Sequence, residues 1–148
     1  MIVVGYPGIG KSTTAKKNSK FIDLESSNFW VDGHRHDDWY RSYCQVAEDL
    51  SRQGYIVFVS CHREVRQQLE SSPEHIVLVF PSLDLEGAWV KRLRNRYEES
   101  NSFKDYKAWQ NSSNYAANIN ELERCGIGYK IRLRDMNYDL EKFFATQD

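Results

Sequence analysis

Short apolar runs alternate with amphipathic stretches along the whole chain. Residues 2–5 (Ile-Val-Val-Gly) form an unbroken run rich in β-branched side chains, the pattern of a parallel strand covered on both faces. Similar runs at 21–24, 55–60, 75–80 and 129–133 predict four more strands. Between them the spacing turns helical. Residues 12–17 open a helix, and 37–53 carries Trp39, Tyr40, Tyr43, Val46, Ala47 and Leu50 at helical spacing, with Gly54 where a C-terminal cap falls. Further helices are expected over 64–70, 84–99, 103–124 and 138–144, with Pro73 ending the first and Gly126 to Gly128 breaking the pattern before the fifth strand.

Five strands alternating with helices predict an α/β fold, a parallel sheet covered by helices on both faces. There is no internal repeat, low-complexity tract or linker, so residues 1–148 are expected to form a single domain.

Composition narrows the classes. A chain of 148 residues can bury a sizeable core. Its net charge of -1 argues against generic nucleic-acid binding, which usually needs a basic excess. Cys44, Cys61 and Cys125 are widely spaced and odd in number, so neither a disulfide framework nor a zinc site is expected, and a cytoplasmic location is. No apolar stretch approaches the roughly 20 residues of a membrane span. The N-terminus passes directly into the first strand with no basic-then-apolar leader, so a secretory signal is not expected.

The sharpest chemistry lies at the first strand-to-helix turn. Gly5-Tyr6-Pro7-Gly8-Ile9-Gly10-Lys11-Ser12 matches G-x-x-x-x-G-K-[ST] at every fixed position. Glycines at 8 and 10 allow backbone angles that turn successive N–H groups inward around phosphates. The following helix adds its positive N-terminal end. Residues Gly8, Ile9, Gly10, Lys11, Ser12 and Thr13 are therefore expected to hold a nucleoside triphosphate such as ATP. Lys11 would reach the β- and γ-phosphates, and the Ser12 hydroxyl would ligate Mg²⁺.

With that loop at its start, the chain resembles the small P-loop kinases, among them the nucleoside monophosphate kinases and their shikimate- and gluconate-kinase relatives. The nearest likeness is to short, adenylate-kinase-like P-loop proteins of phage and prophage. The features are F-I-D-L-E-S-S at 21–27, V-S-C-H-R-E-V-R at 59–66, and V-F-P-S at 79–82 before an arginine-rich helix. The resemblance spans nearly the whole chain, although only the phosphate loop is highly specific. It implies a three-layer P-loop NTPase fold with strand order 2-3-1-4-5, a mobile arginine-rich lid, and phosphoryl transfer from ATP to a small acceptor. The sequence departs from typical adenylate kinases where the third strand ends in Ser60-Cys61-His62-Arg63 rather than D-G-[FY]-P-R, and where the lid is a short helical segment without a zinc knuckle.

Other candidates follow from position. Asp23 and Glu25 lie two apart at the end of the second strand and point to one side. By the resemblance, Asp23 would organise Mg²⁺ and take the acceptor's proton, and Glu25 would contact the acceptor; the alternative is a solvated strand end. Arg63 stands where monophosphate kinases place an arginine on the acceptor phosphate, or it is a surface arginine at a helix start. Residues about 28–53 would form the acceptor-binding region, with Arg35 or Arg41 meeting a phosphate. His34, His36 and Asp37 there are weak as a metal set. Residues about 91–104 would form the lid. Arg92 and Arg96 share a helix face, suited to stabilising charge on the transferring phosphoryl group, while Arg94 points elsewhere.

Three functions compete: a nucleoside monophosphate kinase, a kinase for another metabolite or a polynucleotide end, and an ATP-binding regulatory module. The arginines favour transfer, because they provide for an anionic acceptor.

Overall fold

β1 (Ile2–Gly5) is wholly buried because it lies in the middle of the sheet, paired in parallel with β3 (Ile56–Ser60) on one side and β4 (Ile76–Pro81) on the other. The computed structural model describes residues 1–29 and 36–144. β2 (Phe21–Asp23) pairs with the outer side of β3, and β5 (Lys130–Leu133) with the outer side of β4. The order is β2-β3-β1-β4-β5, all parallel, as the resemblance implies, with helices covering the sheet. This is the three-layer P-loop NTPase layout. The central strands read as continuous apolar runs because neither of their faces meets water.

Register matters for the site. Gly5 and Ser60, the last residues of β1 and β3, stand side by side, while β4 runs on from Val79, beside Gly5, to Pro81 at the same edge. The chain order reverses at β1, and that edge of an open parallel sheet is where ligands bind.

The helices are α1 (Lys11–Lys17), α2 (Trp39–Arg52), α3 (Arg63–Leu69), α4 (Glu86–Ser100), α5 (Phe103–Asn111) and α6 (Tyr115–Arg124). Two helical expectations change. The single helix expected over 103–124 is broken by a 3-10 turn at Ser112–Asn114, where the buried Ser112 hydroxyl donates to the carbonyl of Trp109 and competes with the helical ladder. The last helix, expected over 138–144, is only a 3-10 turn, Leu140–Phe143. Asp139 caps it by accepting from the Glu141 N–H, and the following bonds, Lys142 N–H to Asp139 and Phe144 N–H to Glu141, keep the tighter spacing. Phe144 is nonetheless buried, packed edge-on against Phe21 and Phe58, and so fastens the C-terminal segment to the β2 side of the sheet. No helix among the described residues is long and apolar enough to cross a membrane.

Candidate functional site

The strand ends and the phosphate loop open onto a cleft of about 1080 Å³, lined by the loop, the end of β2, the starts of α1 and α3, and one side of α4, α5 and α6. Its volume lies at the upper end of the range for ligand pockets.

The loop is shaped from behind. Gly8 (φ 94°) and Gly10 (φ 106°) both take the left-handed backbone conformation that side chains disfavour. The carbonyls between and beside them are tied down by distant side chains. Trp89 Nε1 donates to the Pro7 carbonyl (2.8 Å), Arg92 to the Gly8 carbonyl (3.1 Å) and the Tyr138 hydroxyl to the Ile9 carbonyl (2.8 Å). In a trans peptide the C=O and the next N–H point in opposite directions. Holding the Pro7 and Ile9 carbonyls outward therefore turns the N–H groups of Gly8 and Gly10 the other way. The N–H groups of Gly8, Gly10, Lys11, Ser12 and Thr13 have no hydrogen-bond partner among the described residues, and all five residues line the cleft. Such a row of unpaired donors forms an anion-binding nest.

The Lys11 ammonium donates to the Gly5 carbonyl at 2.9 Å. Burial lowers its pKa, opposed by the nearby Cys61, Asp23 and Glu25. Asp23 and Glu25 both line the cleft, as their spacing predicts. Burial holds the Asp23 carboxyl above its ordinary range; Lys11 pulls it down, and the charge of Glu25 and a hydrogen bond to it push it further up. Glu25 moves the opposite way. Burial pushes it up, but Lys104, reaching across from α5 to within 2.6 Å of both carboxylate oxygens, outweighs that and lowers it.

Arg92 and Arg96 line the cleft from α4, and Arg94 turns away to pair with Glu98, as helical spacing requires. The Arg92 guanidinium lies over the Trp89 ring, 4.5 Å from its centroid, and donates to the Tyr138 hydroxyl at 2.9 Å. Arg96 reaches Asp105 at 3.4 Å.

Two residues expected at the acceptor stand outside the cleft lining. Arg41 is exposed on α2 and is absent from the cleft lining, its guanidinium 6.0 Å from the Tyr40 ring centroid. Arg63 is also exposed and outside the lining; it pairs with Glu121 at 2.8 Å. Both stand on helix faces directed to water. Arg66, one turn further along α3, occupies the inward face instead. Its side chain is only 8% exposed, donating to the Cys61 carbonyl (2.9 Å) and to Glu121 (2.9 Å), and it lines the cleft. Hydrogen bonds from Arg63 and Arg66 hold the Glu121 carboxyl down at about 2. His34 and Arg35, singled out in the sequence, lie outside the described residues, while His36 and Asp37 are exposed. Among the described residues no cluster of three or more His, Cys, Asp or Glu side chains is placed to hold a metal ion.

Arg66, Lys104 and Tyr138 were the residues that sequence reasoning passed over. None of the three carried a signal beyond charge and ring: Arg63 and Arg66 are three apart on α3 and both reach Glu121, so only the docking of the helix buries Arg66 and leaves Arg63 exposed. Compared with known proteins, the chain matches no protein-family model, and no curated protein matches its sequence.

Proposed function

We propose that this chain is a P-loop kinase that transfers the γ-phosphoryl group of ATP to a small acceptor, a nucleoside monophosphate. One observation carries the reading: the row of outward-held carbonyls and inward N–H groups at Gly8 to Thr13 shares a single cleft with Lys11, Asp23, Arg92, Arg96 and Arg66.

The parts divide the work of phosphoryl transfer, which is mostly positioning and charge stabilisation. The nest and Lys11 bind the β- and γ-phosphates, Lys11 leaving the Gly5 carbonyl for a stronger anionic partner. Ser12 and Asp23 are the residues that would hold Mg²⁺, which offsets phosphate charge when bound. Arg96 and Arg92 face the charge that spreads over the transferring group. Arg66 takes the place foreseen for Arg63 on the acceptor's phosphate. An acceptor phosphate oxygen attacks the γ-phosphorus, the bond to the β-bridging oxygen breaks, and ADP leaves. That nucleophile is already ionised, so no base is needed.

A second reading, transfer to a hydroxyl of an unphosphorylated metabolite or of a polynucleotide end, is favoured by Asp23. A carboxyl with a raised pKa beside the loop suits removal of a hydroxyl proton. A cytoplasmic setting is part of the proposal, and the free thiols of Cys44, Cys61 and Cys125 suit a reducing compartment.

The test is acceptor-dependent ADP release over a panel of ribo- and deoxyribonucleoside monophosphates, beside shikimate, gluconate and a 5′-hydroxyl oligonucleotide. ADP formation with a monophosphate supports the first reading, and formation only with a hydroxyl acceptor supports the second. ATP binding by calorimetry with no acceptor-dependent turnover would sink both and leave a nucleotide-binding module.

A further inference from the structure

The run α5 to α6 turns a regular polar stripe toward the cleft. Lys104, Lys107, Asn111, Asn114, Asn118 and Glu121 all line it, at steps of 3, 4, 3, 4 and 3 residues, which is one face of a helix. The 3-10 turn at Ser112–Asn114 leaves that phase intact. The ends of the stripe are charged. Lys104 is paired with Glu25, and Glu121 with Arg66. The middle is three amides in succession.

Those amides are set apart from the phosphate machinery by chemistry. A side-chain amide offers two donors and one acceptor oxygen and carries no charge, so it matches a donor–acceptor edge better than a phosphate. Asn118 is half-buried and oriented, donating to the Asn111 carbonyl (3.0 Å) and to the hydroxyl of Tyr6 in the phosphate loop (3.4 Å). Its amide oxygen, and the whole amides of Asn111 and Asn114, make no hydrogen bond to the described residues. Seven residues at about 1.5 Å rise place the three along roughly 10 Å, the length scale of a nucleoside monophosphate.

We propose that Asn111, Asn114 and Asn118 read the nucleobase of the acceptor, whose phosphate lies toward Arg66 at the Glu121 end of the stripe. The inference rests on the monophosphate-acceptor reading and adds to it the residues that set base preference. The amides supply hydrogen bonds to one base edge, and a base with the wrong edge leaves them unpaired and desolvated.

The experiment measures kcat/KM for AMP, GMP, CMP and UMP with wild type, Asn114→Ala, Asn118→Ala and the triple alanine variant. Asn120→Ala, an exposed α6 position outside the cleft lining, serves as the control. In the triple variant the spread between best and worst base should narrow by about tenfold or more, with KM for MgATP and the melting temperature of Asn114→Ala close to wild type. Asn114 is exposed, so its variant separates base reading from folding. An unchanged spread and ranking in the triple variant, or a wild type that uses all four bases equally, overturns the inference while leaving the kinase reading standing. A wild type that phosphorylates no monophosphate removes the acceptor reading, and this inference with it.

Discussion

Arg92 donates to the carbonyl oxygen of Gly8 at 3.1 Å, so a side chain 84 positions along the chain holds the backbone of the phosphate loop. Its neighbours in that task, Trp89 and Tyr138, lie on α4 and in the C-terminal segment. The loop's conformation is therefore held by three side chains from two segments, α4 and the C-terminal one, an arrangement that would lower the cost of ordering it on binding a ligand.

Arg92 and Arg96, alike in sequence, should thus behave differently. Arg92→Ala removes charged hydrogen bonds to Gly8 and Tyr138, and should cost about 1.5–3 kcal/mol of stability by denaturant unfolding and weaken ATP binding in calorimetry. Arg96→Ala should leave stability and ATP affinity near wild type and lower kcat on the order of a hundredfold. Equal losses of ATP affinity in both variants would contradict this division.

The two left-handed glycines should also separate. A Cβ at Gly8 would stand 3.0 Å from Trp89 Nε1 and 3.1 Å from Leu93 Cδ2, whereas one at Gly10 would meet only Leu140 at 4.0 Å. Both alanine variants carry backbone strain of about 1 kcal/mol or more, but only Gly8→Ala adds a clash against the buried Trp89. Thermal melts should therefore rank Gly8→Ala below Gly10→Ala, with ATP binding abolished in the first.

Lys11 pairs a desolvated ammonium with a single carbonyl. Replacing it with Met removes the cost of burying charge and keeps the aliphatic stem. Lys11→Met should match or exceed wild type in stability while losing ATP affinity by about a hundredfold or more in calorimetry. Retained affinity would refute the phosphate-loop assignment.

Asp23 gives a pH signature whose sign can be worked out. Its folded pKa lies above the unfolded value of 3.8, so the folded state prefers the protonated form. That preference costs stability once the pH exceeds the folded pKa and costs nothing below 3.8. Asp23→Asn should consequently be more stable than wild type at pH 7, with the gap closing as pH falls through the ordinary carboxylate range, while turnover collapses. Urea midpoints at pH 7 and pH 3.5 check it.

Glu121 has the opposite sign. Its carboxyl is held at about 2 against an ordinary 4.5 by Arg63 and Arg66, so its contribution is present above pH 4.5 and lost as pH falls toward 2. The stability of wild type over Glu121→Gln should shrink across that window. Kinetically, Arg66→Ala should raise the acceptor KM by about tenfold or more and Arg63→Ala by less than about twofold, because only Arg66 faces the cleft. The reverse order would return the acceptor role to Arg63.

The sequence by itself determined the five strands, the glycine-rich strand-to-helix turn at 5–12, the convergence of Asp23 and Glu25 on the cleft, and the shared face of Arg92 and Arg96. Each of these depends on residues close in the chain: apolar runs, a strand-to-helix motif, a spacing of two on a strand and of four on a helix. Only the tertiary structure decided which arginine of α3 faces the cleft, that Lys104 spans 79 positions to meet Glu25, and that Trp89, Arg92 and Tyr138 hold the loop's carbonyls. Those outcomes depend on how helices dock and rotate against the sheet, and no local period encodes that. The loop's chemistry was written in eight consecutive residues; its shape is held by side chains more than eighty positions away.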